Sequence, residues 1–204
     1  MKNLNCLQDD ARDVLLTLID TAAFLRNYVL VGGSALTLHL CHRKSEDLDF
    51  FTYDDTFEKE AIFTYLNQFD HKEIINQSKD QIDVLINGVK VTFFNAKWHF
   101  LKPERIAAFN LSPPQAIAAM KVNTLFMRAK YRDYYDLYCL AKELYSLREI
   151  YDYSKNVIEG VNFKLFAVAL VYIDDIEDDN ILHLEPKEVI SKEAIRDYFE
   201  QHFD

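Results

Sequence analysis

The chain has 204 residues, half of them hydrophobic, and a formal net charge of −10. That length supports one or two small domains with cores of their own. The acidic balance speaks against a broad electrostatic footprint on nucleic acid, which needs clustered Lys and Arg, and leaves open only a local basic pocket. The apolar runs are too short to span a bilayer, and the first residues, MKNLNCLQDD, lack the apolar core of a signal peptide. Cys6, Cys41 and Cys139 are odd in number and far apart, so neither a disulfide framework nor a zinc site is expected. A reduced, cytoplasmic protein without a membrane partner is the default.

In chain order, Asp9 to Arg26 has helical spacing, with Val14, Leu15, Leu18, Ile19, Ala22 and Leu25 on one face. Tyr28–Val31 reads as a short buried strand, Ala35–Leu40 as a short helix and Asp47–Thr52 as a strand. Thr56 can cap a helix through Phe69. Ile82–Ile86 and Val89–Phe94 flank Asn87-Gly88, the strongest short hairpin signal. A two-residue turn there pairs Ile86 with Val89, Leu85 with Lys90, Val84 with Val91 and Asp83 with Thr92. The second half is helical: Pro113-Pro114 opens a helix to about Met127, and others are expected at Tyr131–Leu144, Leu147–Ile158, Phe163–Ile173 and Lys187–His202. The acidic run Asp174–Asp179 reads as a solvated loop. The expected organisation is an α/β core at 1–100 followed by a helical region at 101–204.

The residues most suggestive of chemistry lie between Val29 and Phe51. Gly32-Gly33-Ser34 joins a strand to a helix, where unpaired backbone N–H groups and the helix dipole favour an anion and glycine permits its close approach. An ordinary tight turn is the bland alternative. Asp47 and Asp49 are two apart, so on a strand both carboxylates share one face. Two carboxylates plus substrate phosphates are a common way of holding Mg2+; a solvated strand face is the alternative. Further on, Ile117, Lys121 and Leu125 share a helix face, so Lys121 must snorkel or meet an anion. Asp133 and Asp136 lie three apart on the next helix.

Gly-Gly-Ser, twelve residues, then Asp-Leu-Asp resembles the signature of polymerase-beta-type nucleotidyltransferases. Leu36, Arg43, Ser45 and Asp47-Leu48-Asp49-Phe50-Phe51 are similar to its AbiEii/AbiGii toxin-like branch, as are Lys121 and the Asp133/Asp136 helix. The resemblance spans roughly Val29 to Leu140. It implies a small mixed sheet flanked by helices, with the helical half closing the cleft. It also implies transfer of a nucleoside monophosphate from a nucleoside triphosphate to an RNA or protein hydroxyl. Asp47 and Asp49 would hold Mg2+ or Mn2+. Gly32, Gly33, Ser34, Arg43, Lys121 and Asp133 would bind the nucleotide, and Lys121 and Asp136 would serve catalysis. A separately encoded antitoxin is the implied partner.

One position departs from the family pattern. Thr92 stands where the superfamily places a third carboxylate, and a neutral hydroxyl cannot act as a base at neutral pH. The hairpin pairing makes Asp83 a candidate replacement, against the alternative of an exposed strand-end residue. The departure keeps a second reading in play, a catalytically silent nucleotide-binding or protein-interaction module on the same fold. A third is a small-molecule nucleotidyltransferase of the antibiotic-modifying kind.

Overall fold

The computed structural model describes residues 3–178 and 180–203. The chain divides into two compact units, Met1–Ser112 and Pro113–Asp204.

The first unit is built on a mixed six-stranded sheet. In chain order its elements are α1 (Asp9–Thr21), β1 (Tyr28–Val31), α2 (Gly32–Leu40), β2 (Leu48–Thr52), α3 (Lys59–Leu66), β3 (Lys72–Gln77), β4 (Gln81–Ile86), β5 (Val89–Asn95) and β6 (Asn110–Leu111). The strand order is β3-β4-β5-β2-β1-β6. β1 runs antiparallel to β2 and parallel to β6, while β2 runs parallel to β5.

The β4–β5 hairpin has the register expected from its turn, with Asp83 opposite Thr92 and Ile86 opposite Val89. Asn87 and Gly88 both take positive φ, 51° and 86°, as a two-residue hairpin turn matched to strand twist requires. Phe93 of β5 anchors the core. It stacks on Phe50 at 5.8 Å and meets the edges of Phe24 and Tyr28.

Several boundaries differ from the sequence reading. The first helix stops at Thr21, because Ala22 leaves helical geometry (φ −92°, ψ 86°) and a 3-10 turn over Ala23–Asn27 leads into β1. The Gly-Gly turn is already the first turn of α2, and β2 starts at Leu48, so Asp47 precedes the strand. Glu58, not Thr56, occupies the N-cap of α3. β3 was not expected. It is exposed along its whole length at the sheet edge, so it carries no alternating burial for the sequence to display.

The cysteine expectation is corrected. Cys6 and Cys41 form a disulfide with a Cα–Cα distance of 5.5 Å. The pairing is made by tertiary structure: Asn3 donates to the carbonyls of Leu38 and His39, and Gln8 N–H donates to that of Ser45, laying the N-terminal strap over the end of α2. Cys139 stays reduced and buried; desolvation, helped by the negative charge of Asp136, pushes its thiol up to about 12. Such a thiol is inert rather than nucleophilic.

The second unit is helical: α4 (Pro114–Met127), α5 (Tyr131–Glu143), α6 (Leu147–Ser154), α7 (Phe163–Val171) and α8 (Lys192–Gln201). Pro114 sits in the first turn of α4, where its missing N–H costs nothing. α4 is buried continuously from Ala116 to Val122 and packs against α5, α6 and α7. Ser146 and Glu149 form a reciprocal capping box on α6, and Asn162 and Ser191 cap α7 and α8. The Ser191 cap explains why the last helix begins at Lys192 rather than Lys187. In the acidic run Asp174, Asp175, Glu177 and Asp178 are exposed, Ile176 is buried, and Asp174 and Asp175 end a 3-10 turn rather than lying in a loop. Asp174 pairs with Arg196, Asp178 accepts from Tyr131 N–H, and Asp179 lies outside the described residues. Among the described residues, no helix is long and apolar enough to cross a membrane.

Candidate active site

In the first unit the β1–α2 turn, the loop after α2 and the start of β2 meet. The cause is the antiparallel β1–β2 pairing, which sets Val31 opposite Asp49 and so lays the Asp49 carboxylate beside the turn. Gly32 has φ +70°, and a Cβ there would stand 2.9 Å from Asp49 Oδ2. A Cβ on Gly33 would stand 2.6 Å from Arg43 Nη2 and 3.3 Å from Ser45 Oγ. Both glycines therefore give room to charged side chains of this chain itself. The sequence read the close approach; the fold identifies the groups that make it.

Ser34 points inward. Its hydroxyl donates to the Asp47 carbonyl and lies 3.0 Å from Ser45 Oγ. One turn on, Thr37 Oγ1 donates to the Arg43 carbonyl at 3.1 Å. Two hydroxyls of α2 thus pin the loop that carries Arg43, Ser45 and Asp47. Arg43 is buried, and its Nη1 donates to the Lys44 carbonyl at 2.9 Å. Asp47 and Asp49 are both half-exposed. The Asp49 carboxylate borders the N-terminus of α2, while Asp47 is tied to Ser34 through its backbone carbonyl; carboxylates are the hard ligands that Mg2+ or Mn2+ takes together with phosphate oxygens.

Asp49, Thr92 and Asp83 occupy one row across β2, β5 and β4. Two strand spacings separate the backbones of Asp49 and Asp83, about 10 Å. Asp83 belongs to a hydrogen-bond cluster of its own. It accepts from Thr92 Oγ1 at 2.9 Å, from Gln81 Nε2 at 2.9 and 2.8 Å, and from Asn76 Nδ2 at 3.2 Å. Burial pushes its carboxyl up, but these donors and the charge of Lys90 outweigh burial and leave it below the ordinary carboxylate value. Among the described residues, no three His, Cys, Asp or Glu side chains converge on one point suited to a metal. Neither Gln81 nor Asn76 stands out in the sequence: the strand legible there begins at Ile82, one residue short of Gln81, and the exposed β3 shows no pattern. Ser45 appeared only as a flanking motif residue, and its contact with Ser34 is a tertiary fact.

In the second unit Lys121 of α4 meets both carboxylates of α5. Its Nζ lies 2.8 Å from Asp133 Oδ1 and 2.6 Å from Asp136 Oδ2. All three side chains are buried, the two aspartates completely. The anion demanded by a lysine in an apolar stripe is thus supplied twice. One positive charge against two negative ones leaves an excess, and Arg128 Nε approaches Asp133 Oδ2 at 3.7 Å. That oxygen makes no hydrogen bond.

Residues 97–201, just over half of the chain, match the family model for the nucleotidyl transferase AbiEii toxin of type IV toxin–antitoxin systems. The match includes Lys121, Asp133 and Asp136 and leaves out the Gly-Gly-Ser turn. The chain is 28% identical over 210 residues to the uncharacterized protein aq_aa25 of Aquifex aeolicus, spanning 98% of this chain and all of that one. Among solved structures, JHP933 from Helicobacter pylori aligns with a TM-score of 0.56 at 19% identity, covering 97% of this chain and 91% of that one. The antibiotic-resistance factor ANT(2'')-Ia aligns with a TM-score of 0.54 at 15% identity, covering 72% and 90%. At these identities the two structures speak to the fold, a nucleotidyltransferase-type mixed sheet flanked by helices, as the sequence reading expected.

Proposed function

The chain belongs to the AbiEii nucleotidyl transferase toxin family, and we propose that it is a metal-dependent enzyme moving a nucleoside monophosphate from a nucleoside triphosphate to an RNA or protein hydroxyl. The observation that carries this reading is the Asp49 carboxylate set against the Cβ-less Gly32 at the first turn of α2. A helix N-terminus attracts phosphate, and a metal cation held by a carboxylate at the same point would add to that attraction. Asp47 and Asp49 would hold Mg2+ or Mn2+, which supplies positive charge to the triphosphate. Gly32 and Gly33 leave backbone exposed to phosphate oxygens, and Arg43 adds fixed positive charge. Ser34 holds Asp47 in place through its carbonyl. The acceptor oxygen forms a bond to the α-phosphorus, the α–β bridging bond breaks and pyrophosphate leaves. By family resemblance Lys121 and Asp136 would serve catalysis and Lys121 and Asp133 would bind the nucleotide; within their own unit the three fix α4 to α5. The protein would act in the cytoplasm, under the control of a separately encoded antitoxin.

A silent nucleotide-binding module is the second reading. It is favoured by Thr92, whose hydroxyl donates to a carboxylate held below its ordinary pKa and so poorly suited to take a proton. Titration calorimetry of each nucleoside triphosphate with Mg2+, on wild type and Asp49→Ala, tests the metal–nucleotide site. Wild type is expected to bind at least one nucleotide, and the variant to bind it at least about tenfold more weakly, about 1.4 kcal/mol, with unchanged circular dichroism. A folded wild type that binds none of the four would defeat the proposal. Binding without transfer of an α-phosphate label to a cellular acceptor would favour the silent module.

A further inference from the structure

The disulfide lies where the candidate site is held together. Cys41 follows the last residue of α2 in a left-handed conformation, φ 52° and ψ 36°, unusual for a residue with a Cβ. Two positions on is Arg43, whose guanidinium lies against Gly33, and Ser45 and Asp47 follow. Cys6 sits mid-strap: Asn3 grips the last turn of α2 on one side, and Leu7 and Gln8 bridge to Ser45 on the other. Among the described residues the covalent tie between strap and loop is the Cys6–Cys41 bond, at the left-handed residue of the loop. The two residues also differ in exposure, since Cys6 is buried and Cys41 is not.

We propose that Cys6 and Cys41 form a thiol–disulfide exchange site through which a dithiol reductant controls the order of the loop carrying Arg43, Ser45 and Asp47. A thiolate of the reductant attacks the sulfur of Cys41, the more exposed of the two residues, the Cys6–Cys41 bond breaks, and Cys6 leaves as a thiolate that takes up a proton. The second thiol of the reductant then attacks the mixed disulfide and releases Cys41. The reductant ends as a disulfide, and two electrons have passed to the protein. Reduction leaves the left-handed Cys41 held by its N–H bond to the Thr37 carbonyl and by noncovalent strap contacts. The loop then opens locally while the β4–β5 hairpin, which carries no cysteine, keeps its protection. That loop order bears on catalysis rests on the nucleotidyltransferase reading above; the exchange site does not.

The full chain is equilibrated with glutathione disulfide or with dithiothreitol, then alkylated under denaturing conditions and mapped by mass spectrometry. The oxidised protein should be modified at Cys139 alone, the reduced protein at all three cysteines. Hydrogen exchange over residues 41–47 should accelerate by about tenfold on reduction, with the β4–β5 hairpin unchanged. The double variant Cys6→Ser/Cys41→Ser should exchange like the reduced wild type and ignore dithiothreitol. Free Cys6 and Cys41 after glutathione disulfide treatment, unchanged exchange over 41–47, or an equal rise across the hairpin would each overturn the proposal. Nucleotide titrations on both forms separate the two readings. A loop that loosens on reduction while neither form binds nucleotide supports the exchange site and removes the nucleotidyltransferase reading.

Discussion

Replacing Lys121 with methionine should be among the most damaging single changes in the second unit. Methionine has nearly the length of lysine and leaves no large void, so the effect isolates charge. In the wild type Nζ lies 2.8 and 2.6 Å from two carboxylates that are completely buried. Without it, two carboxylates closed off from solvent lose their shared cation, and the half-exposed Arg128 approaches Asp133 at 3.7 Å. Removing one partner of a buried pair costs about 3–5 kcal/mol. Because Lys121 serves two carboxylates at once, the upper part of that range is expected, with Arg128 returning about 1 kcal/mol at most because it is exposed. The assay is urea denaturation followed by far-ultraviolet circular dichroism at neutral pH. A control removes the charges together: Lys121→Met/Asp133→Leu/Asp136→Leu should recover most of the loss, because a buried ion cluster replaced as a whole by apolar groups is often close to neutral. A single-variant loss below about 1 kcal/mol would refute the claim that the cluster is desolvated. A triple variant no better than the single one would show that the stranded charge is not the cause.

Other outcomes follow from the same geometry. Gly32→Ala should lose about 1–2 kcal/mol from its left-handed φ alone, and more from the 2.9 Å approach to Asp49 Oδ2. Gly33→Ala, which meets the movable end of Arg43, should lose less; equal losses in thermal denaturation would contradict this account. Asp83 is held below its ordinary value of 3.8, so its contribution is present above that pH and disappears as pH falls through the folded pKa. Wild type should accordingly lose more stability than Asp83→Asn on acidification below about pH 4, and parallel stability–pH curves would rule this out. Ser146→Ala removes the hydroxyl that accepts from Glu149 N–H and should cost about 1 kcal/mol; an unchanged urea midpoint would mean that water replaces the cap.

What was legible in the sequence was local. Asn87-Gly88 requires a two-residue turn because both residues accept positive φ, and that alone sets Asp83 opposite Thr92. Pro114 marks the start of α4 because it lacks an N–H to satisfy, and the spacing of Ile117, Lys121 and Leu125 shows that Lys121 must snorkel or meet an anion. Gly32-Gly33 announces that something approaches the backbone closely. Each of these follows from constraints within a few neighbouring residues.

What the sequence withheld was the identity of partners far along the chain. The exposed β3 has no burial pattern to read, so only the tertiary structure sets the amide of Asn76 beside Asp83. Cys6 and Cys41 are 35 positions apart, and nothing in that spacing separates a bonded pair from two free thiols. Antiparallel β1–β2 pairing brings Asp49 to Gly32, the return of the loop after α2 brings Arg43 to Gly33, and α4–α5 packing gives Lys121 both aspartates instead of one. Such contacts depend on which arrangement buries the most apolar surface while pairing every buried charge. That balance is struck over a whole folded unit, and no short window of sequence contains it.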